Sequence, residues 1–154
     1  MENFEHHLIT ILNHGALNLA MGLGYKLRLF DVMEEINRPS SVSELAQKAG
    51  VSHRYLKEWL GIMTTGKIIE LSSDDRDEDL YFLPPSHGAL LTRKAGSSNL
   101  GVYAQEIPLL TASALEEVVR GFSTGQGVPF SAYPEFQAFM GELADAKHEK
   151  TLIR

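Results

Sequence analysis

The stretch "SVSELAQKAGVSHRYLKEWLGIMTTGKIIEL", residues 41 to 71, limits what this chain can fold into more than any other. Ser41 and Glu44 have the S-x-x-E spacing of a capping box, in which each side chain satisfies the other residue's free backbone N–H. The helix it opens, "VSELAQKA", stops at Gly50, a residue suited to a left-handed helix end. Ser52 is placed to cap the next helix, where Leu56, Trp59, Leu60 and Met63 fall at i, i+3, i+4 and i+7. Such a stripe belongs in a core. Gly66 closes that helix, "KIIEL" predicts a strand, "SSDDRDED" a polar turn and "LYFL" a second short strand.

The flanks read as helices. Phe4, Leu8, Ile11, Leu12 and Leu19 recur at helical spacing from Glu2 to Met21, and "GLG" at Gly22 to Gly24 punctuates that helix. "YKLRLFDVMEEI" gives a second helix with Leu29, Val32, Met33 and Ile36 on one stripe, ended by Pro39. Two helices, a tight turn, a third helix and a hairpin predict a winged helix. Beyond Pro84 and Pro85, "SHGALLT" is briefly helical and "RKAGSSN" is a loop. Ser98 to Phe122 is helical with a break near Pro108, and "STGQGVPFSAY" is a loop. Pro134 suits the first turn of a last helix carrying Phe136, Phe139, Met140 and Leu143. The expected fold is mainly α: N-terminal helices over 1–37, a winged helix over 38–92, and a helical cap or linker over 93–154.

Several chemistries are excluded. The absence of cysteine removes disulfides, thiolate catalysis and cysteine-based zinc sites. His7 and His14 share a helix face near His6, but no carboxylate-histidine spacing completes a metal site. "MGLGYK" and "STGQGVP" do not match G-x-G-x-x-G after a strand, so both read as turns. There is no GK[ST], G-x-S-x-G or H-E-x-x-H, hence no complete catalytic constellation. No stretch approaches the roughly 20 apolar residues of a membrane span. "MENFEHHLITILNHG" lacks the basic start of a signal peptide, so the expectation is an intracellular, cytoplasmic protein, nuclear if it regulates genes.

Whether the helix-turn-helix reads DNA turns on charge. Acidic residues outnumber basic ones 20 to 14, so phosphate repels the chain unless its cations gather on one face. Arg54 and Lys57 lie opposite the apolar stripe and are the candidate DNA contacts, but Glu58 opposes them. The wing tip, "DDRDED", carries five acids and one base where a DNA-binding wing would meet phosphate. A packing module is the expected role. Outside the winged helix, Tyr25, Phe30, Tyr103, Phe130, Tyr133 and Phe136 either line a small-molecule pocket or belong to the core. Tyr103 and Tyr133 each need a hydroxyl partner if buried.

Taken in order, "GLGYKLRLFDVM", the 41 to 71 stretch, "YFLPPSHGALLT" and "STGQGVPFSAYPEFQAFMGE" resemble the N-terminal region of a family of class I S-adenosylmethionine-dependent methyltransferases. The resemblance covers nearly the whole chain. It implies a winged helix used for dimer contacts and for covering a small-molecule substrate, with no DNA involved. It also implies a following Rossmann-like domain that opens with a strand and an acidic residue in a glycine-rich loop. This chain ends at Arg154, about where that domain should begin, and no residue matches the cofactor motif. No catalytic or cofactor-binding residue therefore carries over. S-adenosylmethionine and a methyl-acceptor substrate would come only with the missing domain, and the chain alone is expected not to be an enzyme. The six aromatics carry over as candidate substrate-cap residues.

Two other classes stay open. One is a stand-alone winged-helix DNA-binding regulator, the other a homodimeric adaptor. The N-terminal stripe has no obvious partner in a domain this small, so a homodimer through residues 2 to 36 is expected, with Leu8 and Ile11 in the interface.

Overall fold

Helix α1 (Phe4–Lys26) runs unbroken through Gly22 and Gly24, where the sequence predicted an interruption. This is a computed structural model, and it describes residues 3–133 and 135–148. The reason for the continuity is steric. A Cβ at Gly22 would lie 2.3 Å from the carbonyl oxygen of Ala104, and one at Gly24 would lie 2.2 Å from the Trp59 ring. Both glycines let α1 approach its neighbours closely; neither turns the chain. The real turn follows, at Arg28, whose φ of 60° leads into α2 (Leu29–Ile36).

The winged helix forms as predicted. Helices α3 (Val42–Ala49) and α4 (His53–Thr65) are joined at Gly50, whose φ is 67°. Leu56, Trp59, Leu60 and Met63 all face inward from α4. Only half of the expected capping box exists. Ser41 Oγ accepts the Glu44 N–H at 3.3 Å, but the Glu44 carboxylate turns outward to the Arg38 guanidinium. A charge-assisted partner outcompetes a backbone N–H. Ser52 holds the N-cap position of α4 without a side-chain capping bond.

The wing is a three-stranded antiparallel sheet in the order β1-β3-β2. Strand β2 (Glu70–Ser73) starts later than "KIIEL" suggested, because Lys67 has φ of 58° and the Ile68 N–H bonds back to the Met63 carbonyl. Strand β3 (Asp79–Phe82) pairs with β2 and also with β1 (Ser40–Ser41), which the sequence did not announce.

After α5 (Pro85–Leu91), two 3-10 turns (Arg93–Ser98 and Gly101–Gln105) replace the expected loop and the start of the expected helix. Helix α6 (Glu106–Thr124) then runs without a kink at Pro108. Pro108 sits in the first turn, where the missing N–H has no intrahelical partner to lose. A short 3-10 turn (Phe130–Ala132) precedes α7 (Phe136–His148), which buries Phe139 and Leu143 and leaves Met140 exposed. The expectation for Pro134 falls outside the described residues.

The core joins the flanks to the winged helix. Phe30 meets Trp59 edge-on, with ring centroids 5.2 Å apart, and the Trp59 indole N–H donates to the Ala20 carbonyl at 2.8 Å. Tyr25, Phe30, Leu60, Met63 and Val102 are fully buried. Each such side chain contributes on the order of 1.5–3 kcal/mol by leaving water.

Candidate interaction surfaces

The first half of α1 has little of its own chain against it. From Phe4 to Ala16 every residue except Thr10 is exposed, and the burial of α1 begins only near Leu17. Phe4 is 74% exposed and Leu12 is 64%, with Leu8, Ile9 and Ile11 also open to solvent. A dozen residues of unsupported helix are marginal in water, and these carry apolar side chains besides. The stripe continues through Leu19, Leu23 and Leu27. Helix α6 also exposes Ile107, Val118, Val119 and Phe122, the last at 89%. Leu8 and Ile11, named from sequence, lie in the middle of the uncovered half.

The DNA-facing candidates lie elsewhere. Arg54 and Lys57 project into solvent from α4, but so do Glu58 and the apolar Tyr55 and Ile62. The wing tip is ordered by an acid: the Asp74 carboxylate accepts the Arg76 and Glu78 N–H groups at 2.9 and 2.8 Å. Asp75, Asp77, Glu78 and Asp79 remain exposed around it. A surface of this sign repels a phosphate backbone.

The six aromatic candidates divide. Phe130, Tyr133 and Phe136 form one chain of ring contacts, with Phe130 and Tyr133 each about Phe136 at 6.0 and 5.8 Å, and Phe139 extends it at 6.3 Å. Phe130 remains 67% exposed at its outer end. Tyr103 is 39% exposed on the second 3-10 turn. Tyr25 and Phe30, by contrast, are enclosed in the core. Tyr25 Oη accepts from Asn99 Nδ2 at 2.8 Å, which gives this buried hydroxyl its partner. Burial holds the Tyr25 phenol above its ordinary pKa, partly offset by the Asn99 bond and the Arg93 charge.

Sequence reading missed the polar node beside Tyr25. Arg93 donates to the Asp31 carboxylate and to the Tyr25 carbonyl at 2.8 and 2.9 Å, and stacks over the Tyr25 ring at 4.1 Å. Its other arm reaches Glu142 on α7 at 3.4 Å, where Gln105 also donates at 2.7 Å. Nothing local in "RKAGSSN" marks Arg93; its partners lie 62 residues before it and 49 after. An open groove between α2 and α3 is lined by Glu35, Ile36, Arg38, Glu44, Gln47 and Lys48. Its charges pair with one another, Arg38 with Glu44 and Lys48 with Glu35, and none of the aromatic candidates lines it. His6, His7 and His14 are exposed on α1, and no metal-binding cluster of three or more acids and histidines occurs among the described residues. Among the same residues no helix is long and apolar enough to cross a membrane.

The Rv2258c-like winged HTH domain model matches residues 15–93, just over half of the chain. The chain belongs to that family. No curated protein sequence matches it. Solved structures share its fold over nearly its full length. Human N-acetylserotonin methyltransferase in complex with SAM aligns with a TM-score of 0.75 at 15% identity, covering 99% of this chain and 47% of that one. The mitomycin 7-O-methyltransferase MmcR aligns at 0.69 and 17% identity, covering 95% and 44%. PigF, solved with SAH, aligns at 0.60 and 19% identity, covering 94% and 45%. At these identities the likeness is one of fold. This winged-helix chain spans a little under half the length of each of them. Its own three strands belong to the wing, and β3 leads into Pro84 and Pro85. Among the described residues no strand runs into a glycine-rich loop.

Proposed function

We propose that this chain is the winged-helix dimerisation and substrate-cap region of a S-adenosylmethionine-dependent methyltransferase, one acting on a small molecule in the manner of O-methyltransferases. One observation carries the reading: the uncovered apolar face of α1 from Phe4 to Ala16, on a fold shared with methyltransferases. In this reading residues 1–37 join two copies, 38–92 form a rigid winged-helix base, and 93–154 lead as a cap toward a catalytic domain. That domain, in the same cytoplasmic protein, would hold the methyl donor, so the donor alone should not bind this chain. In this reading Phe130, Tyr133, Phe136 and Tyr103, which lie outside the core, would meet a substrate, whereas Tyr25 and Phe30 would support the base.

The acidic wing and the mixed face of α4 weigh against the regulator reading. Replacing Leu8 and Ile11 by glutamate tests the dimer. The expected result is a mass falling from dimer to monomer with unchanged helical circular dichroism, since both side chains are exposed within one copy. A dimer mass unaffected by both replacements would remove α1 from the interface.

A further inference from the structure

We propose that two copies of α1 pack antiparallel about a two-fold axis passing between Gly15 and Ala16. This rests on the dimer reading above and specifies its geometry. The exposed stripe is self-complementary about that point. Phe4 and Leu27 are equidistant from it in sequence, as are Leu8 and Leu23, and Leu12 and Leu19. Leu8, Leu12 and Ala16 form one i+4 ridge of the helix, and Gly15, Leu19, Leu23 and Leu27 form the other. The axis exchanges them, so each ridge of one copy meets the other ridge of its mate. An isologous interface requires this match between a surface and itself. A shallow crossing of about 20°, the geometry of most helix bundles, keeps the outer pairs within reach.

Charge agrees. The only formal charges along α1 are Glu5 and Lys26, and they too are equidistant from the axis. An antiparallel pair sets Glu5 beside the partner's Lys26, whereas a parallel pair would set like charges together. Among the described residues Lys26 pairs with the exposed Glu135 at 3.4 Å, with both side chains about two-thirds exposed, a contact of little strength. Gly15 supplies a further argument. A Cβ there would meet nothing within 4 Å, so its own chain gives no reason for a glycine in the middle of a 23-residue helix. That glycine costs roughly 0.5–1 kcal/mol against alanine. At the crossing point it admits a second helix at close range. The stripe is about 35 Å long and about 10 Å across.

The chain has no cysteine, so single introduced thiols report geometry without background. Under mild oxidation Ala16→Cys is expected to form a cross-linked dimer in most of the protein. Leu8→Cys alone is expected to give none, and the double variant Leu8→Cys with Leu23→Cys to cross-link again. Self-cross-linking through Leu8→Cys, or none through Ala16→Cys in a protein of dimer mass, would overturn the antiparallel arrangement and leave the dimer reading standing. A monomer mass for the unmodified chain would overturn both.

Discussion

Gly24 has no room for a methyl group, because the Trp59 ring occupies the position at 2.2 Å. Gly24→Ala is therefore expected to destabilise the fold by about 1–3 kcal/mol, read as a lower urea midpoint. Next to it, Tyr25 sets an alkaline limit. Burial raises its folded-state pKa above that of the unfolded chain, so the protonated phenol favours the folded state. That contribution is fully present below the unfolded pKa of about 10 and is lost as pH rises through the higher folded value. Tyr81, also raised by burial and by Asp79, acts in the same direction. Urea midpoints should fall as pH rises above about 10, and Tyr25→Phe should flatten that fall while lowering stability at neutral pH, where Asn99 loses its acceptor. An undiminished slope in the variant would assign the alkaline loss elsewhere.

Among the elements, periodic helices were legible and long-range polar partners were not. The α4 stripe could be read residue by residue, since four apolar side chains at helical spacing have one place to go. Gly22 and Gly24 could not: a glycine needed for a turn and one needed for close approach look alike in sequence, and only Ala104 and Trp59 distinguish them. Strand β1 is too short for any periodic signal, and its pairing is set by β3, some 40 residues away. The Phe130, Tyr133 and Phe136 cluster was legible as a set of aromatics, but its separation from Tyr25 and Phe30 depends on where α7 docks. Arg93 holds α7 there through Glu142, while its bonds to Asp31 and Tyr25 fix α2 and the end of α1. Arg93→Ala should cost about 1–3 kcal/mol, as Asp31 loses its partner. It should also speed proteolytic cleavage in the segment before α7; cleavage at the unaltered rate would mean that Phe139 and Leu143 dock the helix unaided.

At the scale of the molecule, net charge and the acidic wing predict that random duplex DNA does not bind, even at low salt where phosphate attraction is greatest. Tight binding that falls steeply with salt, and is lost on replacing Arg54 and Lys57, would revive the regulator reading. What remains is a winged helix preceded by a long helix whose first half is uncovered. A chain of 17.1 kDa that leaves Phe4, Leu8, Ile11, Leu12, Leu19 and Leu23 in water needs something to cover them. The proposed cover is a second copy of the chain. Sedimentation equilibrium of the unmodified chain over a range of micromolar concentrations tests this most directly. The expected result is a mass twice that of one chain, dissociating only on dilution; a single-chain mass at every concentration would contradict it.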